Sequence, residues 1–539
     1  MGGGQLPRPR GRCKLLRPAV GRGDATPGGS TAPTHRCPES PVTGNTTPQA
    51  SPVDPAFRPA QRVGLLVGFG AFVAMLAVPA PAALGGAAWH TAAVAVLMAV
   101  WWITEAIPIP ATALVPLVAF PALGVLSAQD AASAYGQDLI FLFMGGFLIA
   151  VAMERWGLHR RIALAVVAAV GTGPRRLVLG FMLATAFLSM WISNTATTTM
   201  MLPIAIAVGQ TFRRPEDEGP FPFGTALMLG IAYAASIGGV ATLIGTPPNA
   251  VMAAAAEELA GVEIGFLDWS LVALPVSAVL LPLTWLLLVG VLYPPGDVQG
   301  DAGFVDRERA RLGPMGRGER AVAVVFALTA LAWVMRAPKD LGDIVVPGIQ
   351  TYLPGVRDST IAMAAGLALF LIPVDFKRGT FALDWPTARR IPWGVLVLFG
   401  GGLSLARAMD RSGLAEAVGS AVAGLDAVPT VVLLGAVAAL FVFLTEMTSN
   451  AATATMAMPV MAGAAAGLGL PPLMLMATAG LACSMAFMLP VATPPNAIVF
   501  GSGYITIPQM ARAGLALNLL AIAVITLAAT LLIPAILVR

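Results

Sequence analysis

The chain has 539 residues, of which 57% are hydrophobic and only 11% are charged, and its formal net charge is +4. Soluble proteins carry about a quarter charged residues, so this composition excludes a soluble globular protein and predicts an all-α membrane protein with many transmembrane helices. The three cysteines have no CxxC spacing and only three histidines are present, which argues against a zinc site, a disulfide framework and a metalloenzyme. We therefore expect no enzymatic activity.

Residues 1–62 form a basic tail that is rich in Arg, Pro, Gly, Ser and Thr. A segment of this composition cannot bury a hydrophobic core, so we predict that it is disordered and cytoplasmic. We expect no binding to nucleic acid, because no aromatic or folded recognition element accompanies the arginines.

After the tail, apolar runs of bilayer length predict about eleven transmembrane helices. The predicted spans lie near 63–79, 91–108, 110–126, 138–153, 224–256, 266–293, 320–336, 358–374, 393–409, 472–505 and 512–537. Two of them, 224–256 and 472–505, contain adjacent prolines, which break a helix, and we predict broken helices there. Two further apolar stretches, 177–210 and 427–466, carry polar residues at their centres and are predicted to be re-entrant hairpins.

The placement of arginines and lysines predicts the orientation of the chain in the plasma (inner) membrane. Basic clusters follow three of the predicted spans, whereas the loop after 224–256 is acidic and carries Glu257, Glu258, Glu263 and Asp268. If the basic clusters are cytoplasmic, the N-terminus is cytoplasmic and the C-terminus external. Residues 294–319 are then a cytoplasmic loop between a first half, 63–293, and a second half, 320–539.

Three sequence blocks occur twice in the same order, once in each half. They are FMGGFLIAVAMERWGL (143–158) and FGGGLSLARAMDRSGL (399–414), SNTATTTMMLP (193–203) and SNAATATMAMP (449–459), both pairs offset by 256 positions, and TPPNA (246–250 and 493–497), offset by 247. Arginines flank the first predicted hairpin but not the second, so we predict that the halves are inverted repeats, as in many secondary transporters.

The polar motifs suit a site for an anion and its counter-ions. Non-helical backbone at membrane depth is tolerated only where it is buried or lines a wet cavity. Carbonyl groups freed by a helix break coordinate hard cations, while amides and hydroxyls at helix N-termini hold anionic oxygens. No Lys, Arg or His occurs in 177–210, 221–256 or 467–511. Bound cations would therefore have to neutralise an anion there.

Glu446 lies beside the second hairpin tip, and its counterpart in the first half is Met190. A charged residue at membrane depth is a candidate functional group. Two interpretations stay open: a structural, hydrogen-bonded acid, or a group that couples ions or protons to transport.

At these residues the sequence resembles the divalent anion:sodium symporter family, which includes sodium-coupled dicarboxylate, citrate and sulfate carriers. CSMAFMLPVATPPNAIV (483–499) is similar to the signature segment of that family, and YAASIGGVATLIGTPPNAV (233–251) to its first-half partner. The resemblance covers the chain from about residue 63 to the C-terminus. It implies a homodimer embedded in membrane lipid, in which each subunit has a scaffold domain and a transport domain that moves as an elevator.

The resemblance also implies the positions of at least two sodium ions and of a small anionic substrate. The first sodium site would use Ser189, Ser193, Asn194 and Gly245, and the second Thr445, Thr448, Asn450 and Ala492. The substrate carboxylates would meet Ser193, Asn194, Thr195, Thr246, Pro247, Ser449, Asn450, Thr493 and Pro494.

One residue departs from the pattern, since Ala451 stands where the second SNT motif would have a threonine. Losing one hydrogen bond to a charged group costs about 1.5–3 kcal/mol. Either the substrate differs from a four-carbon dicarboxylate, or Thr453 or water compensates. The leading hypothesis is sodium-coupled symport of a di- or tricarboxylate such as succinate, malate or fumarate. The alternatives are a sodium-independent dicarboxylate exchanger and an inorganic oxyanion (sulfate) carrier.

Overall fold

Helices make up most of the computed structural model, which describes residues 59–538 apart from 83, 213–220, 297–302, 341–344 and 426. Most of the basic tail predicted for residues 1–62 lies outside the described residues. In the first half the helices are α1 (Pro59–Ala77), α2 (Gly86–Thr104), α3 (Ile109–Thr112), α4 (Val115–Ala122), α5 (Ala128–Ser133), α6 (Asp138–Trp156), α7 (Leu158–Val170), α8 (Pro174–Ser189), α9 (Asn194–Phe212), α10 (Pro222–Val240), α11 (Pro247–Ala260) and α12 (Phe266–Leu286).

The second half contains a matching number of helices. They are α13 (Phe304–Arg311), α14 (Arg317–Val334), α15 (Ile349–Tyr352), α16 (Asp358–Leu371), α17 (Trp385–Ala388), α18 (Trp393–Arg411), α19 (Leu414–Val422), α20 (Thr430–Thr445), α21 (Asn450–Gly467), α22 (Pro472–Ala482), α23 (Pro494–Phe500) and α24 (Ile507–Ile536). Two 3-10 turns, Ala134–Gly136 and Ala423–Leu425, and a π-helical continuation of α12, Leu287–Leu292, complete the helical elements.

The prediction of an all-α protein needs one correction, because two short antiparallel ribbons occur between helices. β1 (Lys339–Asp340) pairs with β2 (Val345–Val346), and β3 (Pro373–Asp375) pairs with β4 (Thr380–Phe381). The turn of the second ribbon contains Gly379 at φ 63°, a left-handed conformation that glycine adopts without strain. Hairpins this short carry no hydrophobic alternation long enough to be read from the sequence.

Six helical segments among the described residues are long and apolar enough to cross a membrane. They are Pro59–Ala77, Gly86–Thr104, Ala128–Trp156, Pro222–Val240, Phe266–Leu292 and Ile507–Ile536. Other predicted spans are interrupted: the stretch 110–126, for example, is divided between α3 and α4, where the N-terminal cap of α4 is Leu114. This confirms a multi-pass helical membrane protein, and the number of eleven spans stays a prediction.

Helix boundaries repeat between the halves at the offset of the sequence blocks. Helices α7, α8 and α9 begin 256 positions before α19, α20 and α21. Helix α10 lies at the centre of the structure, since every residue from Phe223 to Val240 is buried. It packs against α8, α9, α12 and α23, and thereby joins elements of both halves. Lipid is the expected environment of α1, where Leu66 and other apolar side chains are exposed.

Glycines allow close approach of helices around this core. A Cβ atom on Gly238 of α10 would lie 2.3 Å from the carbonyl oxygen of Ala186 in α8. A Cβ atom on Gly145 of α6 would lie 2.5 Å from the carbonyl carbon of Ala362 in α16. Small residues at such contacts are typical of helix packing in membranes, where packing replaces the hydrophobic effect as the main source of association.

Candidate functional site

The first helix tip lies between α8, which ends at Ser189, and α9, which begins at Asn194. The hydroxyl oxygen of Ser189 lies 2.6 Å from Asn194 Oδ1 and 2.7 Å from the carbonyl oxygen of Ala235 in α10. Ser189 is fully buried. Three oxygen atoms thus share one hydroxyl proton, which can be donated to only one acceptor at a time.

The second tip has the same arrangement between α20, which ends at Thr445, and α21, which begins at Asn450. The hydroxyl oxygen of Thr445 lies 2.7 Å from Asn450 Oδ1 and 2.9 Å from the carbonyl oxygen of Cys483. Thr445 is fully buried as well. The sequence analysis missed the carbonyl groups of Ala235 and Cys483. Every residue has a backbone carbonyl group, so the residue type does not show which carbonyl takes part.

Glycines bring the first tip and the first broken helix together. A Cβ atom on Gly239 would lie 2.3 Å from Asn194 Oδ1. A Cβ atom on Gly245 would lie 2.3 Å from the carbonyl oxygen of Gly239 and 2.8 Å from that of Ser189. The predicted ligands Ser189, Asn194 and Gly245 of the first sodium site are therefore neighbours in the structure.

Each broken helix is held open by the asparagine of its TPPNA motif. Asn249 Nδ2 donates to the carbonyl oxygens of Gly239 (3.3 Å), Val240 (3.0 Å) and Thr242 (2.7 Å). Asn496 Nδ2 donates to the carbonyl oxygens of Ala486 (3.2 Å) and Leu489 (3.0 Å). These donors bind carbonyl groups of the chain just before the break, so those carbonyls stay satisfied at this depth.

The cluster contains the oxygen donors that a hard cation requires. The Oδ1 atoms of Asn249 and Asn496 are buried and have no hydrogen-bond partner among the described residues. Within that same part of the chain, no group of three His, Cys, Asp or Glu side chains could hold a metal ion. Serine, threonine, asparagine and backbone oxygens therefore fit sodium as a transported ion and do not fit a resident transition metal.

The predicted sodium and substrate ligands differ in exposure. The sodium candidates that are not also substrate candidates are all buried, namely Ser189, Gly245, Thr445, Thr448 and Ala492. Most substrate candidates are accessible: Thr195 and Pro494 are exposed, and Ser193, Asn194, Pro247, Ser449 and Asn450 are half-buried. Thr246 and Thr493 are buried and cap α11 and α23. The predicted sodium ligands are thus buried, whereas most of the predicted substrate ligands are accessible.

The predicted ligands of the second sodium site are less closely grouped. Thr445 and Asn450 are joined by a hydrogen bond, whereas the Thr448 hydroxyl lies 2.5 Å from that of Thr453. The Ala492 amide donates to the carbonyl oxygen of Leu489. Within the described part of the chain, no hydrogen bond joins Thr448 or Ala492 to the other two residues.

Thr453 does not supply the hydroxyl that Ala451 lacks. Its side chain is fully buried against Thr448, whereas Ala451 is half-buried at the tip. The first half lacks this buried pair, because Ile192 stands at the position of Thr448, and the Thr197 hydroxyl there has no partner among the residues that the structure describes. The accessible surface of the second tip therefore has one hydroxyl fewer than that of the first.

The chain is similar to known membrane transporters. The family described as "Sodium:sulfate symporter transmembrane region" matches residues 60–538. The sodium-dependent dicarboxylate transporter SdcS of Staphylococcus saprophyticus is 41% identical over 489 residues, covering 88% of this chain and 92% of that protein. The protein of the same name from Staphylococcus aureus strain USA300 is 39% identical, covering 89% and 93%.

Two solved structures share the fold at low sequence identity. The Neisseria gonorrhoeae protein MtrF has a TM-score of 0.53 at 10% identity, covering 88% of this chain and 94% of that one. The Alcanivorax borkumensis YdaH transporter has a TM-score of 0.50 at 16% identity, covering 73% and 85%. The duplicated tips, the match over nearly the whole membrane region and the extent of identity lead to one conclusion: this chain is a membrane transporter of the divalent anion:sodium symporter family.

Proposed function

We propose that this protein is a secondary active transporter that couples the uptake of a dicarboxylate, of the succinate, malate or fumarate type, to sodium. One observation carries the proposal: each tip places three oxygen atoms around a single hydroxyl proton. Such a cluster has more lone pairs than protons and attracts a hard cation. Relatives named as sodium-dependent dicarboxylate transporters support sodium as that cation.

Cation binding explains how a site without basic side chains would hold a dianion. The segments that form the tips and breaks contain no Lys, Arg or His. Two sodium ions beside the accessible surface would supply the charge that the anion needs, and the anion would leave when they leave. Coupling then follows from mutual stabilisation, because each ligand binds more tightly when the other is present.

The remaining parts of the proposal concern assembly and movement. We propose a homodimer in which the tips and broken helices of each subunit move together past a scaffold, as an elevator, with the halves inverted in the membrane. Support comes from the helix boundaries, which repeat at one offset in α7–α9 and α19–α21. Inverted repeats around a site near the midplane are common among secondary transporters.

Transport by the purified protein in liposomes tests the function directly. We expect uptake of labelled succinate that requires an inward sodium gradient and is lost in Asn194→Ala and in Asn450→Ala. Uptake that is indifferent to sodium but accelerated by internal succinate would instead identify an exchanger.

A second substrate class is favoured by a single residue, Ala451. Because the second tip lacks one accessible hydroxyl, an anion smaller than a four-carbon dicarboxylate could fit it better. Absence of succinate uptake together with sodium-dependent uptake of sulfate would establish the inorganic oxyanion carrier. Citrate is the third anion to compare.

A further inference from the structure

Glu446, next to the second tip, binds a row of backbone amides. Its Oε1 accepts from the amides of Phe487 (2.6 Å) and Met488 (2.9 Å), and its Oε2 from those of Met488 (3.1 Å) and Leu489 (3.2 Å). Asn518 Nδ2 of α24 donates to Oε1 at 2.8 Å. The side chain is 3% exposed. A carboxylate that receives only N–H donors is fully satisfied as an anion.

The equivalent segment of the first half has a different backbone conformation. The carbonyl groups that bind the two TPPNA asparagines correspond at an offset of 247, namely Gly239 with Ala486 and Thr242 with Leu489. Residues 487–489 therefore correspond to 240–242. In the first half α10 remains helical to Val240, and the Ala241 amide donates to Gly238. In the second half α22 has already ended at Ala482.

A proline present only in the second half disfavours helix in the residues just before it. Pro490 follows Leu489, and its counterpart in the first half is Leu243. Proline has no amide proton, clashes with the carbonyl group four residues earlier and disfavours helical conformation in the residue before it. The amides of residues 487–489 then need another acceptor, and Glu446 provides it. In the first half, where α10 stays helical, the equivalent position is occupied by Met190, whose side chain has no carboxylate to accept from amides.

The segment held by Glu446 carries the backbone part of the second cation cluster. The carbonyl group of Cys483 accepts from Thr445, the residue before Glu446. At the other end of the segment, the Ala492 amide donates to Leu489, which Glu446 also binds. The carboxylate therefore binds the middle of this unwound segment, between Cys483 and Ala492, and lies next to Thr445 in the chain.

We propose that Glu446 is a positioning residue that holds residues 483–493 in register with Thr445 and Asn450, and so sets the sodium affinity of the second site while leaving the first unchanged. The inference rests on the proposed sodium coupling. It also argues against a proton carrier: a proton on either oxygen would face an N–H group and replace an acceptor with a donor.

The test is the sodium dependence of succinate uptake by Glu446→Gln in liposomes. Glutamine keeps the size of the side chain but turns an NH₂ group toward backbone donors. We expect the half-maximal sodium concentration to rise about tenfold, as for loss of a charged hydrogen bond, with a shallower sodium curve. The half-saturating succinate concentration at saturating sodium should stay close to that of the wild type.

Glu319→Gln is the matched control. Glu319 of α14 is 7% exposed and is paired with Arg161 of α7, and neither residue belongs to a tip or a broken helix. We expect this variant to lower thermal stability without moving the sodium curve. If Glu319→Gln shifts the sodium curve as far as Glu446→Gln does, or if Glu446→Gln leaves it unchanged, the proposal is wrong.

Hydrogen exchange measured by mass spectrometry tests the same idea without transport. In Glu446→Gln the amides of 487–489 should exchange faster, while those of 240–242 in the first half keep the wild-type rate. Equal protection in wild type and variant would overturn the positioning role.

Asn518→Ala, which removes a single donor to Glu446, is the second variant if Glu446→Gln does not fold. It should raise the half-maximal sodium concentration about threefold. Wild-type uptake that ignores sodium would refute the proposed function, and the exchange experiment would still decide the role of Glu446.

Discussion

At each helix tip, the smallest repeated unit is a hydroxyl oxygen placed between an amide oxygen and a backbone carbonyl oxygen. Ser189 and Thr445 occupy equivalent positions 256 residues apart and make equivalent contacts. Both are fully buried, so neither hydroxyl can exchange its protein acceptors for bulk water. A cation bound there would gain an oxygen ligand that is already oriented, which is how a site without charged ligands can still bind sodium.

Removing these hydroxyls should weaken sodium binding at one site at a time. We expect Ser189→Ala and Thr445→Val each to raise the half-maximal sodium concentration for uptake about tenfold, and the double variant to abolish sodium stimulation. Thr329→Val is the control, because Thr329 is buried in α14 and only bonds back to Val325 of its own helix. Sodium curves of the four proteins in liposomes decide the matter. Unchanged curves for both single variants would exclude these hydroxyls as ligands.

The accessible hydroxyls should instead determine substrate affinity. Thr195→Ala should raise the half-saturating concentration of a dicarboxylate about tenfold, whereas Ala451→Thr, which restores the missing hydroxyl, should lower it by a similar factor. Thr199→Ala is the control, since Thr199 is exposed one turn further along α9 and bonds to the backbone of Thr195. Competition between succinate and sulfate in each variant measures the effect. Stronger competition by sulfate than by succinate in the wild type would show that dicarboxylate is not the preferred substrate.

At the scale of elements, part of the structure follows from rules that act along the chain. Prolines at Pro247 and Pro494 mark the first residues of α11 and α23, and the SN pairs mark the start of α9 and α21. Each is a local effect on backbone geometry, so it can be predicted from the sequence. The multi-pass helical architecture and the family follow from apolar length and from motif order in the same way.

Other features depend on contacts between distant segments and could not be predicted. The acceptors Ala235 and Cys483 act through their backbones, and Glu446 meets amides 41 to 43 residues away in sequence. Pro490 and Glu446, which occur only in the second half, were the one available signal that the two broken helices unwind differently. The interruption between α3 and α4 near Leu114 lies just before Pro116, which is a local signal that apolar length alone does not record.

The close approach of α10 to the first tip gives an element-scale prediction. Gly239→Ala should abolish the first cation site, because its Cβ atom would lie 2.3 Å from Asn194 Oδ1 and must displace it. Gly70→Ala is the matched control, since a Cβ atom on Gly70 of α1 meets nothing within 4 Å. We expect sodium-stimulated uptake to fall to background in the first variant and to stay at the wild-type level in the second. A Gly239→Ala protein with wild-type sodium dependence would contradict this account of the tip.

At the scale of the whole molecule, the C-terminal end of α11 is tied to several other elements by ion pairs. Glu257 pairs with Arg357 before α16 (2.8 Å), Glu258 with Arg407 of α18 and Glu263 with Arg336 after α14 (2.6 Å). Three of the four acids in the acidic loop after 224–256 are thus matched by arginines from the second half. Arg407 binds Glu258 through two bonds of 2.6 and 2.8 Å, a bidentate geometry that holds α11 and α18 in one relative position.

This bidentate pair tests whether α11 moves past α18 during transport. If α11 moves with the tips past a stationary α18, the contact between Glu258 and Arg407 must break in each cycle. Cysteines at both positions, in a background with Cys13, Cys37 and Cys483 replaced, can be joined by a short bismaleimide. We expect crosslinking to stop succinate uptake while sodium still raises the thermal stability, because the site stays intact but cannot move. Each single-cysteine protein, treated in the same way, controls for modification alone. Full uptake by quantitatively crosslinked protein would mean that α11 and α18 stay together throughout the cycle, and that any moving body has to include both.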